Sequence, residues 1–231
     1  NGYKPPQSRA LFERVASELS SLPGVTGVSA GLVALLAGDN WGNSVAVQGF
    51  EAGPDTDTGS RYNAIGPGYF RLLGVPLISG REFTPADTLE APKVAIVNEQ
   101  FARKFNLGRE AVGKRMRVNG PGSARDLDIE IVGLVPHVKY SEEKQEAPPV
   151  FYLQYRQNDD LGFLSFYVGT SLDSGQLLKA ISPTIARIDP NLPVASLRTL
   201  PQQVRESVFE DRVISILSSS FAGLARIEPF S

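Results

Sequence analysis

The sequence predicts an α+β domain, and three observations predict it. Near its start the chain shows helical spacing (Phe12, Val15, Ala16, Leu19, Leu22), a Pro23-Gly24 breaker and an apolar run from Val25. Near its end the pattern returns as Leu177, Leu178, Ile181, Ile185 and Ile188, the breaker Asp189-Pro190-Asn191, and a run from Pro193. Between these units lie short runs of period two, and Asn119-Gly120 between two of them is a hairpin signal, because both residues tolerate positive φ. Helical units flanking a β-rich middle imply a subdomain built from both chain ends with the middle inserted. The sheet should be mixed or antiparallel, since alternation dominates over helical crossovers.

Taken in order, residues 1–7 form an extended, proline-containing entry, and Ser8 is placed to cap the first helix. Residues 25–36 read as a strand leading into a loop at Gly38-Asp39-Asn40. Residues 44–49 alternate as a strand, and the Gly, Asp and Thr cluster at 51–59 is a loop. The segment 65–105 organises the chain: Gly66-Pro67-Gly68, Gly74 with Pro76, and Gly80 punctuate apolar pieces, and the strand Val94-Ala95-Ile96-Val97 leads into a helix. Asn98 caps that helix, because a short polar side chain accepts the orphan amides of a first turn, and Phe101, Ala102 and Phe105 share one face.

Further strands fall at residues 115–118, 127–135, 150–153 and 163–168, with a charged, proline-terminated loop at 142–149. Ser174 opens the second end helix, in which Pro183 should force a kink or a split. Residues 193–197 read as a strand. A polar helix enters through Pro201 and covers 200–211. The thirteen positions 213–225 turn apolar, short of the roughly 20 residues that cross a bilayer.

Composition removes several function classes. At 231 residues, 42% hydrophobic and 21% charged, the chain can bury a proper core, which argues against disorder. A formal net charge of −2 provides no field for nucleic acid or an anionic bilayer, and no basic run is interleaved with aromatics. With no cysteine there is no disulfide, thiolate metal site or cysteine nucleophile. No signal peptide opens the sequence, so delivery across a membrane would rest on sequence outside this stretch.

Catalytic and ligand motifs are sparse. Gly27-Val28-Ser29-Ala30-Gly31 matches G-x-S-x-G, and aspartates and His137 follow in the order that α/β-hydrolases use. The elbow needs a sharp strand-to-helix turn, whereas residues 32–36 carry neither cap nor amphipathic period, so a small-residue strand is the better reading of Ser29. His137, the one histidine of the sequence, follows Pro136 and reads as a loop residue. Asp126, Asp128 and Glu130 alternate along one strand and read as a solvated face, since no loop gathers the six or more oxygens that calcium takes. Asn158-Asp159-Asp160 reads as a loop. Gly113-Lys114 is followed by Arg115 rather than Ser or Thr, so it is no phosphate-binding loop. No catalytic residue, cofactor site or metal ligand is assigned, and no ATPase is carried.

Four pieces in order, Gly68-Tyr69-Phe70, Leu73-Gly74-Val75-Pro76-Leu77, Gly80-Arg81-Glu82-Phe83 and Val97-Asn98-Glu99, resemble the MacB-like periplasmic core domain of FtsX-type ABC transporter permeases. Leu22-Pro23-Gly24-Val25, Ile131-Val132-Gly133-Leu134-Val135, the strand at 149–155 and Asp189-Pro190-Asn191-Leu192-Pro193-Val194 extend the resemblance over most of the chain. It implies a porter-like α/β subdomain from residues 1–48 and 150–205, an inserted Sabre-like β-rich subdomain at 49–149, and a truncated juxtamembrane helix at 206–231. It also implies that the porter-like part lacks an edge strand and leaves an exposed ladder.

The function so implied is that of a non-enzymatic periplasmic domain in a membrane-embedded permease, of a family that includes duplicated forms without their own ATPase, serving efflux or partner contact. Its partners would be flanking transmembrane helices, a homodimer mate or duplicated half, a separate ABC ATPase and a membrane-fusion protein, with no nucleic acid. Two alternatives stand beside it: a stand-alone ligand-binding or sensory domain, and a serine hydrolase using Ser29.

Overall fold

The run Val94-Ala95-Ile96-Val97 is apolar on both of its alternating faces, so it needs cover on both sides. The computed structural model describes residues 5–35, 41–119, 126–136, 148–158, 161–192, 194 and 196–203, and places this run at the centre of a sheet. Its five residues form strand β5 (Val94–Asn98), all buried. Ala95 and Val97 join one hydrophobic cluster, Val94 and Ile96 another.

The remaining elements, in chain order around β5, are α1 (Pro5–Ser20), β1 (Val25–Gly31), β2 (Gly42–Val47), β3 (Gly59–Ile65), α2 (Tyr69–Leu72) and β4 (Ser79–Gly80) before it. After it come α3 (Glu99–Lys104), β6 (Arg115–Val118), β7 (Ile129–Val135), β8 (Val150–Gln154), β9 (Ser165–Thr170) and α4 (Ser174–Ile188). All of them lie in one contact unit that ends at Leu192. Of the second unit, from Pro193, the described residues include a helical turn at 200–203.

Hydrogen bonds link the strands in the order β2-β6-β7-β5-β8-β3-β1-β9, with β4 on β7. The sheet is mixed as expected: β3 with β8 and β5 with β7 are parallel, and the other pairs are antiparallel. It also closes on itself. The first half of β2 pairs with β3 (Gly42 opposite Arg61, Ser44 opposite Gly59), and its second half pairs with β6 (Val45 opposite Val118, Val47 opposite Met116). Six strands therefore form a ring, from which β1 and β9 extend as a flap.

The ring is filled rather than hollow. Val45, Val47, Ala95, Val97, Met116, Ile131 and Phe151 pack with Phe101 and Phe105 of α3. The Phe101 and Phe105 rings lie 4.5 Å apart. On the flap, α1 and α4 cover one face of β1 and β9 with Val15, Leu19, Leu177, Ile181 and Ile185. Burying five such side chains, at about 1.5–3 kcal/mol each, is what holds the two helices to the strands.

Several expectations are corrected. The first helix starts at Pro5, three residues before Ser8, because a proline suits the first helical turn, where its missing N–H costs nothing. Ser8 is buried inside the helix and does not cap it. The strand expected over 25–36 ends at Gly31; beyond it, Asn63 holds the backbone of Val33 by accepting from its N–H at 2.8 Å and donating to its C=O at 3.0 Å. Pro183 does not split α4, and it sits on the exposed side, where water can meet the carbonyl it leaves unbonded. Val194, Ser196 and Leu197 lie in no strand; Val194 and Leu197 are each 40% exposed, so their alternation gains no burial. The Gly120-to-Gly122 turn, Gly38-Asp39-Asn40 and residues 204–231 lie outside the described residues, although β6 and β7 pair antiparallel as a hairpin requires.

Candidate functional site: a cleft beside Ser29

Ser29 lies mid-strand in β1, opposite Tyr167 of β9. No helix follows it, so the nucleophile elbow is absent. Its side chain is 5% exposed, and its Oγ has no hydrogen-bond partner among the described residues. A nucleophilic serine needs a base within hydrogen-bond reach, and none of the described residues supplies one. His137 lies outside the described residues, as do Asp159 and Asp160.

Of the carboxylates expected to share a solvated face, Asp126 is exposed, whereas Asp128, just before β7, and Glu130 within it are half-buried. Asp128 accepts from Lys93 Nζ at 2.8 Å, and Glu130 stands opposite Arg115 in the ladder. Asp126 sits in the bend before the strand. Among the described residues no group of three or more acidic, His or Cys side chains is placed to hold a metal. Gly113 (φ 87°) turns the chain into β6 and cradles nothing within the described residues.

A concave feature lies beside Ser29. A cleft of about 620 Å³ opens between α1 and the loop joining β3 to α2. Val28, Ser29 and Ala30 of β1, with Phe166, line it from the flap, and Gly66-Pro67-Gly68 faces Ala16, Ser17 and Ser20 of α1. Charged side chains also line it: Glu13 from α1, Arg71 from α2, Arg81 and Glu82 after β4, and Arg156 after β8. Gly66 is required by close approach, since a Cβ there would stand 2.9 Å from Tyr155 and 3.1 Å from Ser29 Oγ.

Two donors at the cleft lack a hydrogen-bond partner among the described residues: Ser29 Oγ and Arg156 Nε, both shut off from solvent. Glu13 Oε1 stands 3.6 Å from Arg156 Nε, close enough for charge attraction but too long for a hydrogen bond. One Nη of Arg156 reaches the carbonyl of Pro85 at 3.4 Å, a weak bond.

Beside the cleft is a polar knot that explains the Gly80-Arg81-Glu82-Phe83-Thr84-Pro85-Ala86-Asp87 stretch. Arg81 donates to both carboxylate oxygens of Asp87 at 2.8 and 2.9 Å, and Asp87 also accepts from the Thr84 amide at 2.7 Å and its hydroxyl at 3.1 Å. Burial pushes the Asp87 carboxyl up, but the Arg81 and Thr84 bonds and the Arg81 charge outweigh it and hold its pKa below the usual 3.8. The bond to Asp87 raises the pKa of Arg81 in return. Sequence reading gave these residues no role; a basic and an acidic residue six positions apart around a proline turn is the signal that could have found the knot. The cleft had no such signal, because its walls come from seven separate segments of the chain.

A curled mixed sheet with two helices on a flap and a filled ring defines an α+β domain. The chain belongs to the MacB-like periplasmic core domain family, whose description matches residues 2–191. Solved structures share the fold. The periplasmic region of MacB from Actinobacillus actinomycetemcomitans is 16% identical, with a TM-score of 0.54 over 75% of this chain and 72% of that one. The extracellular domain of the noncanonic ABC-type transporter YknZ from Gram-positive bacteria is 20% identical, with a TM-score of 0.50 over 76% and 80% of the two chains. Curated protein sequences give no match. The chain is thus a periplasmic-type domain of a MacB- or FtsX-like ABC transporter permease. Among the described residues no helix is long and apolar enough to cross a membrane.

Proposed function

We propose that this domain is a non-catalytic coupling element on the extracytoplasmic face of an ABC-type permease. In this reading, nucleotide-driven motion of an ATPase on a separate chain or domain moves flanking transmembrane helices. The domain then shifts between two arrangements against a second copy or duplicated half, promoting export of a substrate or contact with a membrane-fusion protein. The observation that carries the reading is the family match over residues 2–191. The hydrophobic cluster that α1 and α4 share supports it, because two helices far apart in the sequence form one packed unit on the flap. We read residues 1–48 and 150–205 as the porter-like part, which takes in that flap together with β2 and β8 of the ring, and residues 49–149 as the Sabre-like insert.

The test uses the parent permease. Carbonate washing of native membranes should leave a polypeptide much longer than this chain in the pellet. A spin label on Asp55→Cys, in the exposed loop after β2, should then show a changed distance to its counterpart when vanadate traps the ATPase. A freely soluble parent sinks the permease reading, and an unchanged distance sinks the coupling. The cleft beside Ser29 favours one second reading, a ligand-binding or sensory domain, which a carbonate-released parent would support.

A further inference from the structure

The cleft between α1 and the β3–α2 loop has features of a binding site that the coupling reading does not use. Ser29 and Arg156 each place at its wall a donor with no hydrogen-bond partner among the described residues, and both atoms are closed to water. A buried donor left unpaired is unfavourable, and an entering acceptor oxygen recovers that loss. The acceptor is best an anion, since Arg156 is a cation and charge-assisted bonds are the strong ones.

A lone anion would meet opposition. Glu13 stands 3.6 Å from Arg156 Nε, and Glu82, which accepts from the Arg71 amide at 2.8 Å, also lines the cleft. Arg81 is already engaged by Asp87. The lining thus carries both signs, Arg71 and Arg156 beside Glu13 and Glu82, and a ligand matching both carries an ammonium as well as a carboxylate. Val28, Phe83 and Phe166 supply apolar lining for a hydrocarbon side chain. About 620 Å³ lies within the range of small-molecule pockets.

We propose that this cleft binds a small zwitterion with an apolar side chain, a free α-amino acid or a short peptide, its carboxylate on Ser29 and Arg156 and its ammonium toward Glu13 and Glu82. Because Ser29 Oγ is closed off beneath the Gly66 loop, binding includes a small outward shift of that loop. The site stands apart from the coupling reading: it can be present in a permease domain or in a sensory one.

The 231-residue chain is titrated with L-leucine and with L-leucyl-L-leucine, following backbone amide shifts of Ala30, Gly66 and Gly68 and the heat of binding. N-acetyl-L-leucine, lacking the ammonium, and L-leucinamide, lacking the carboxylate, are the controls. Saturable shifts with at least one zwitterion, and about tenfold or more weaker binding of both blocked analogues, are expected. Ser29→Ala and Arg156→Gln should each weaken binding severalfold. Ser29→Ala should do so without lowering the melting temperature, which keeps the test valid should Arg156→Gln fail to fold. Tighter binding of the dipeptide identifies a peptide site, and the reverse an amino-acid site. Absent shifts at millimolar ligand, equal binding of blocked and free forms, or undiminished binding by Ser29→Ala would overturn the proposal.

Discussion

Asn98 holds three segments with one short amide. Its Oδ1 accepts from the Phe101 amide, capping α3, and from the Val150 amide, each at 2.9 Å, while its Nδ2 donates to the Pro148 carbonyl at 3.0 Å. Asn98→Ala loses a cap and strands a part-buried amide, so chemical denaturation should show a loss of about 2–4 kcal/mol. Asn98→Asp keeps the acceptor and should lose less. Ser29→Ala has the opposite expectation: the hydroxyl has no partner, so its removal should be neutral or stabilising by up to about 1 kcal/mol. A fluorophosphonate probe should leave Ser29 unlabelled, and labelling of the folded protein would revive the hydrolase reading. At Asp87 the folded pKa lies below the unfolded 3.8, so the unfolded state takes up the proton first. The stability the group contributes is therefore present above about pH 4 and is lost as pH falls through that value toward the folded pKa. Asp87→Asn should flatten this acid limb in urea midpoints measured from pH 6 down to pH 3. The cap was legible because it is local, a polar residue followed by an apolar turn. The two bonds from Asn98 to residues 148 and 150 were not, because fifty residues separate the partners.

At the scale of elements, β4 is two residues long yet fixes the turn before the Arg81–Asp87 knot. Gly80 has φ +79°, and a Cβ there would run into the Val132 carbonyl, while Gly133 opposite is packed on the Arg81 carbonyl. Gly80→Ala should destabilise by at least about 1–3 kcal/mol, visible as a fall in melting temperature, since both the conformation and the space exclude a side chain. Pro183 offers the reverse. It lies inside α4 on the exposed face, so Pro183→Ala restores a helix hydrogen bond and should raise stability by about 1–3 kcal/mol. Circular dichroism melts check both signs. Most strands were legible from period-two alternation and flanking Gly or Pro residues. The start of α1 was not, because Pro5-Pro6 reads equally as extended chain and as a first helical turn. The strand expected at 193–197 is not found at the described residues 194, 196 and 197, because a short run after a breaker specifies no pairing partner.

At the scale of the molecule, the closed ring and the flap should differ in local stability. Strands β5 and β7 have neighbours on both sides and near-total burial, whereas β9 has β1 alone among the described residues and is half-buried throughout. Hydrogen exchange should thus protect Val94–Asn98 and Ile129–Val135 far longer than Ser165–Thr170; equal protection would show the flap unfolding with the ring as one unit. The α+β class and the mixed sheet were legible because they depend on local pattern. Ring closure was not, because it rests on β2 changing partners at Ser44–Val45, a choice made by strands far apart in sequence.

That closure also sets an order on synthesis. On one side of the ring β5 meets β3 only through β8, so while the ribosome is still making residues before Val150 the nascent chain holds that side of β5 and of β3 as open edges. Until Gln154 has left the exit tunnel, Phe101 and Val97 lack Phe151, and this apolar half-barrel remains a substrate for chaperones and for mispairing with another nascent chain.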